Sequence, residues 1–241
     1  MNRFTLVLIL ALFTSSFVSA SPYKIIGEDT RYRITDAKAD AVHDSIGLLQ
    51  IRFGDMMGQC TGTVIGPRHV LTSAHCLIDK NGAKADFANF YPALRENINK
   101  RNYPHGFFRS KVYKIHSSYA KTRDTAHDIA VIVFAENLPV PALGTGRSVN
   151  SSAQIKIAGY PGDKVTGELW EGKGKRFKHF FESDPDSHDV DTMPGQSGSA
   201  VRVGEYVVGV HSAGIPGIFY TYNEAHMFSL ESLALVRSWI K

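Results

Sequence analysis

The chain has 241 residues, 43% of them hydrophobic, and a formal net charge of +4. That length supplies ample core for one large β-domain or two small lobes. The mild positive balance does not point to nucleic acid, and no stretch beyond the N-terminal leader is long and apolar enough to span a bilayer.

In chain order, residues 1–20 read as a secretory signal peptide. Arg3 gives the positive start, residues 4–13 form an apolar core broken only by Thr5, and Val18-Ser19-Ala20 ends in small residues. A membrane anchor would need a longer run, and the Ser15-Ser16 break comes too early. Loss of the leader removes Arg3 and takes the net charge from +4 to +3. The expected location is secreted or periplasmic, with no membrane association after cleavage. Cys60 and Cys76 are the only cysteines. In an exported chain such a pair is expected to form one disulfide, whose loop closure contributes about 3 kcal/mol in the chain-entropy model.

Short runs rich in β-branched residues, punctuated by Gly, Pro, Asn and Asp, predict strands over 46–53, 62–65, 70–71, 112–115, 129–134, 155–158, 200–203 and 206–210. No helices alternate with them, which favours an antiparallel barrel or sandwich over a parallel sheet. Residues 79–110 read as an irregular surface region. Residues 136–152, with Pro139, Pro141, Gly144 and Gly146, read as a linker between two β-rich halves. Lys173, Lys175, Arg176 and Lys178 lie on a Gly-rich segment that also holds Glu168 and Glu171, and are expected on a solvated loop or hairpin. Ser229 is a candidate cap for a C-terminal helix whose apolar face would be Leu230, Leu233, Ala234, Val236, Trp239 and Ile240.

Three segments carry chemistry. Thr72-Ser73-Ala74-His75-Cys76 follows the strand at 70–71. Ala126-His127-Asp128-Ile129 enters the strand at 129–134, and Asp191-Thr192-Met193-Pro194-Gly195-Gln196-Ser197-Gly198-Ser199 precedes the strand at 200–203. Serine as nucleophile, histidine as proton carrier and a buried aspartate as its orienter form a sufficient set for acyl transfer. Asp128 is preferred to Asp124 as the orienter because it directly precedes the apolar strand, and Ser197 to Ser199 because Gly195 allows the sharp turn before it. The remaining histidines have no metal-ligand spacing, so neither metal nor cofactor is expected.

The order His75, Asp128, Ser197, with Cys60 fifteen residues before His75, resembles the chymotrypsin-like serine endopeptidases. The resemblance implies an all-β fold of two antiparallel barrels with a C-terminal helix. Residues 25–138 would form the N-terminal barrel with His75 and Asp128, residues 139–228 the C-terminal barrel with Ser197, and residues 229–241 the helix. It also implies that Cys60–Cys76 is the histidine-loop disulfide and that the N–H groups of Gly195 and Ser197 form an oxyanion hole. Ser212 would help hold Asp128, and Ser212 to Gly214 would pair with the substrate backbone as an edge strand. Protein or peptide substrates and a monomeric state are expected. A secreted binding protein on the same fold is the alternative from another class, although every triad residue is present.

A narrower resemblance is to the bacterial glutamyl endopeptidases, carried by Ile25-Ile26-Gly27-Glu28-Asp29, Arg33-Ile34-Thr35-Asp36, Gly159-Tyr160-Pro161-Gly162-Asp163-Lys164, the 191–199 segment and Gly209-Val210-His211. It implies a start of the mature chain at Lys24 or Ile25, with residues 21–24 as a short propeptide. Two specificity signals conflict. Asp191 sits where trypsins hold the aspartate that selects Arg or Lys. His211 and Thr192 would instead donate hydrogen bonds to a substrate carboxylate, and a protonated imidazole would add charge. Cleavage after Glu, with Asp second, is the expectation, and trypsin-like specificity through Asp191 is its rival. Gln196 is neutral and cannot form the ion pair to a freed N-terminus that an aspartate makes there in trypsins.

Overall fold

The computed structural model describes residues 25–147, 153–177, 186–215 and 222–241. The expected signal peptide, residues 21–24 and Lys178 lie outside them. In chain order the strands are β1 (Tyr32–Ile34), β2 (Ile46–Phe53), β3 (Met56–Gly66), β4 (His69–Thr72), β5 (Phe87–Pro92), β6 (Phe108–Ser110), β7 (Val112–Ile115), β8 (Ala130–Val133), β9 (Gln154–Gly159), β10 (Leu169–Phe177), β11 (Asp186–His188), β12 (Ala200–Val203), β13 (Tyr206–Ile215) and β14 (Tyr222–Met227). Among the described residues three α-helices accompany them: α1 (Ala41–Asp44), α2 (Ser117–Thr122) and α3 (Leu230–Trp239).

The strands form two antiparallel barrels. One sheet runs β6-β5-β2-β3-β4-β8-β7, and Ser110 at the end of β6 donates its hydroxyl to Val133 of β8, drawing the edges together. The other runs β1-β10-β11-β14-β13-β12-β9 and closes through β9–β10. Leu49, Ile51, Val64, Phe90, Ile132 and Phe134 fill the first barrel. Ile155, Ile157, Val190, Val201, Val208 and Ala225 fill the second. Ile46, Leu48, Leu94, Ala158, Tyr160 and Leu169 pack where the two meet. Each such aliphatic side chain stabilises by about 1.5–3 kcal/mol on full burial, so apolar burial also contributes where the barrels meet.

β2, β7 and β12 have the bounds that their β-branched patterns predict. Three expectations are corrected. Residues 79–110 are not irregular throughout, because Phe87–Pro92 forms β5 between β2 and β6, with Ala88 and Phe90 fully buried. Its Asn89 and terminal Pro92 mask the strand pattern. The basic Gly-rich segment is β10, which pairs antiparallel with the next strand β11, in keeping with the hairpin reading. Lys173 and Lys175 remain exposed, while a Cβ at Gly174 would come within 2.1 Å of Asp189 Oδ1. Residues 32–34, expected in the first barrel, pair with β10 of the second. On α3, Ser229 accepts the Ser232 N–H as predicted and Leu233 and Val236 are buried, but Leu230 and Ala234 face solvent. The crossover keeps contact with both halves: Leu138 and Leu143 are buried, Leu143 N–H donates to Val64 O of β3, and Val207 N–H of β13 donates to Gly144 O.

Candidate active site

β4 ends at Thr72, and a one-turn 3-10 helix, Ala74–Cys76, carries His75. The Cys60–Cys76 disulfide ties that turn to β3. A second one-turn 3-10 helix, Thr125–His127, delivers Asp128 into β8, and exposed Asp124 caps it by accepting the Ala126 N–H. Asp128 is buried. One carboxylate oxygen accepts the His75 backbone N–H at 2.9 Å, and the other lies 2.6 Å from His75 Nδ1 and also accepts the Ser212 hydroxyl. Burial alone would lower the His75 imidazole, but the Asp128 carboxylate outweighs it and raises the pKa above the ordinary 6.5. Burial would raise Asp128, and His75 with the hydrogen bonds from His75 and Ser212 lowers it overall.

Ser197 lies in a turn built from close backbone approaches. Gly195 has φ +98°, and a Cβ there would meet Tyr160 O at 2.4 Å. Gly198 has φ +84°, and a Cβ would meet Thr72 Oγ1 at 2.1 Å. Both conformations strongly favour glycine. The N–H groups of Gln196, Gly198 and Ser199 donate to Met193, His211 and Gln196 carbonyls. β3 supplies the opposing wall. Thr61 N–H donates to Ser197 O at 2.8 Å, and Thr61 Oγ1 donates to Gly195 O and accepts the Tyr160 N–H. Cys76 Sγ lies 3.9 Å from Ser197 O, so the His75 turn and the Ser197 turn abut. Sequence reasoning did not find Thr61 or Gln59, whose Nε2 donates to Tyr160 O. Polar residues alternating on a strand carry no local mark of such a bond.

His211 and Ser212 sit at a bulge of β13, which re-aims adjacent side chains. Ser212 reaches Asp128. His211 is fully buried, with Nδ1 3.1 Å from Glu224 O and 3.1 Å from His188 Nε2. Burial pushes His188 down to about 3, and burial together with His188 holds His211 well below 6.5, so both rings are neutral near pH 7. A neutral His211 adds no charge of its own. His188 was not anticipated, because its strand of three residues shows no usable period. Thr192 is buried too, and its Oγ1 has no hydrogen-bond partner among the described residues. Beyond Val210, β13 pairs along its length only with β14, so Ser212 to Gly214 form an edge among the described residues.

Asp191 is engaged elsewhere. Its Oδ1 accepts the Ile26 N–H at 2.7 Å, and its Oδ2 accepts the Thr30 N–H at 2.9 Å and the Thr30 hydroxyl at 2.8 Å. The carboxylate therefore fastens the segment that leads into β1.

The trypsin-like peptidase domain matches residues 60–210. The chain belongs to that family. A glutamyl endopeptidase of Bacillus licheniformis is 29% identical over 236 residues, covering 91% of this chain and 71% of the relative. A glutamyl endopeptidase of Staphylococcus aureus is 26% identical over 205 residues, 81% of this chain and 58% of the relative. A solved Glu endopeptidase in complex with MPD superposes with a TM-score of 0.75 at 26% identity, over 90% of this chain and all of that one. The trypsin-like peptidase described here is thus a serine endopeptidase of chymotrypsin fold related to the glutamyl endopeptidases. Among its described residues no helix is long and apolar enough to cross a membrane.

Proposed function

We propose that Ser197 is the nucleophile, His75 its base and acid, and Asp128 the orienter, and that the peptidase cleaves after Glu, with Asp second. The contact that carries the mechanism is His75 Nδ1 at 2.6 Å from buried Asp128, which keeps a proton on Nδ1 and turns Nε2 into the acceptor. Ser197 Oγ attacks the scissile carbonyl as its proton passes to His75 Nε2. The N–H groups of Gly195 and Ser197 stabilise the oxyanion, each worth about 3–4 kcal/mol. His75 then protonates the leaving amine, and water releases the acyl group by the same path in reverse. Ser212 to Gly214 would align the substrate backbone as an added strand.

Two observations favour an acidic P1 residue. Asp191, the basis of the rival specificity, is already held by Ile26 and Thr30. Thr192 and His211 are both buried hydrogen-bonding groups at positions shared with the glutamyl branch. His211 Nδ1 lies 3.1 Å from both His188 Nε2 and Glu224 O, contacts that fix the orientation of its ring. The Cys60–Cys76 disulfide supports a secreted or periplasmic location. Peptides differing only at P1, assayed beside a Ser197→Ala control, test the proposal. Glu should be turned over fastest and the control should be inactive; an Arg peptide turned over best would overturn the specificity.

A further inference from the structure

Arg31 stands behind the Ser197 turn, and the chemistry above makes no use of it. Its side chain is completely buried, yet each of its five N–H bonds has an acceptor. Nε and Nη2 donate to Asp29 at 2.8 and 2.9 Å, and Nη1 and Nη2 donate to Asp163 at 3.1 and 2.6 Å. The remaining Nη1 hydrogen goes to Gln196 Oε1 at 3.2 Å. That oxygen also accepts the Met193 N–H at 3.0 Å, while Gln196 N–H donates to Met193 O. One amide oxygen therefore ties Arg31 to both ends of the 193–196 turn that leads into Ser197. Gln196 Nε2 has no partner among the described residues, so the oxygen is the working half of the amide.

We propose that Arg31 is a positioning residue of the peptidase. Through Gln196 Oε1 it holds the turn so that the N–H groups of Gly195 and Ser197 converge on the substrate oxyanion. This rests on the assignment of Ser197 and its oxyanion donors made above. Such donors act only within about 2.7–3.1 Å of the developing charge. Gly195, at φ +98°, has no Cβ to restrict its peptide planes. A neutral Gln196 forms no ion pair of its own, but its carbonyl accepts from a guanidinium whose charge Asp29 and Asp163 balance. A planar five-donor fork can make two bonds to each of two carboxylates and one to an amide, and a lysine ammonium has only three donors.

Steady-state kinetics of wild type, Gln196→Leu, Gln196→Glu, Arg31→Lys and the double variant Arg31→Lys/Gln196→Leu test the proposal. The substrate is the peptide that wild type turns over best, and a peptide aldehyde, which binds as a tetrahedral adduct, is titrated in parallel. Gln196→Leu leaves the Asp29 and Asp163 pairs of Arg31 intact. It should lower kcat about 10- to 100-fold with KM within about twofold. Aldehyde affinity should fall by the same factor as kcat/KM. Gln196→Glu keeps the acceptor oxygen and should restore most of kcat. The double variant should be no slower than Gln196→Leu, because both changes break one linkage. Wild-type kcat in folded Gln196→Leu, a loss confined to KM, or losses that multiply in the double variant would each overturn the proposal. If Gln196→Leu does not fold, Arg31→Lys against Gln196→Glu decides it: slow turnover in the first and near-normal turnover in the second support it, and any other pattern overturns it. Ser197→Ala separates the two levels. Full turnover there removes the Ser197 assignment and this proposal with it, whereas an inactive Ser197→Ala beside a fully active Gln196→Leu removes only the role of Arg31.

Discussion

His75 and His211 are the same side chain in two opposed settings. His75 faces a carboxylate, so its charged form is favoured despite enclosure. His211 faces another imidazole and a carbonyl, and burial holds both rings neutral. The first setting suits a group that must accept and return a proton; the second suits a fixed hydrogen-bonding partner. What distinguishes them is one buried Asp128 against one buried His188. Neither difference is local in sequence, since Asp128 lies 53 residues from His75 and His188 lies 23 from His211.

The contrast can be broken most severely at Asp128. Asp128→Asn should lower kcat about 10⁴-fold at neutral pH, because the amide can present its N–H to Nδ1 and favour the wrong tautomer. Stopped assays with purified variant and wild type would measure it, and a loss below tenfold would remove Asp128 as orienter. Next is His211→Gln, expected to cut kcat/KM for a Glu peptide about 100-fold while a peptide with a neutral P1 residue changes little. An equal loss on both peptides would make His211 a structural group only.

The pH profile of kcat/KM sharpens the same comparison. A base must be neutral to act, so activity should rise with pH through a midpoint above 6.5, set by the raised His75. If Asp128 supplies that rise, the residual activity of Asp128→Asn should titrate at a lower midpoint. Stability should follow the other histidine pair. His188 stays neutral when folded down to about 3 but titrates near 6.5 when unfolded, so the unfolded state binds the extra proton between those values. Urea midpoints should therefore fall as pH drops from 6.5 towards 3 and show no His188 contribution above 6.5. The local slope approaches about 1.4 kcal/mol per pH unit for one such group. His188→Phe should flatten that part of the curve. The smallest effect is expected at Asp191. Asp191→Asn should cost about 1–2 kcal/mol in a thermal or urea melt, since it weakens the fastening of Ile26 and Thr30, and it should leave P1 preference unmoved. A gain in Arg cleavage by wild type over Asp191→Asn would restore the rival specificity.

Legibility in the sequence followed the range of the interaction concerned. β2, β7 and β12 are apolar on a short period and needed no distant information. β5 was missed, and β10 was left open between loop and hairpin, because their strand character comes from neighbours: β5 is gripped between β2 and β6, and β10 between β9, β1 and β11. Ser197, His75 and Asp128 were named from short strings, yet Thr61, Gln59 and His188 were not, because a threonine, glutamine or histidine on a strand looks the same whether or not it meets a partner. Asp191 was located correctly beside Thr192, but the partner it would take was open between a substrate cation and the chain itself.

By itself the sequence determined the all-β class, the capped C-terminal helix, the paired cysteines and the order of the three chemical segments. Those depend on local periodicity, on residue types with few substitutes, and on glycines whose backbone angles are closed to other residues. Tertiary structure alone decided which barrel the 25–34 segment joins, which ring His211 meets, and how Arg31 reaches the turn before Ser197. These are contacts between residues far apart in the chain, and a buried polar group takes its charge and its partner from whatever the fold brings against it.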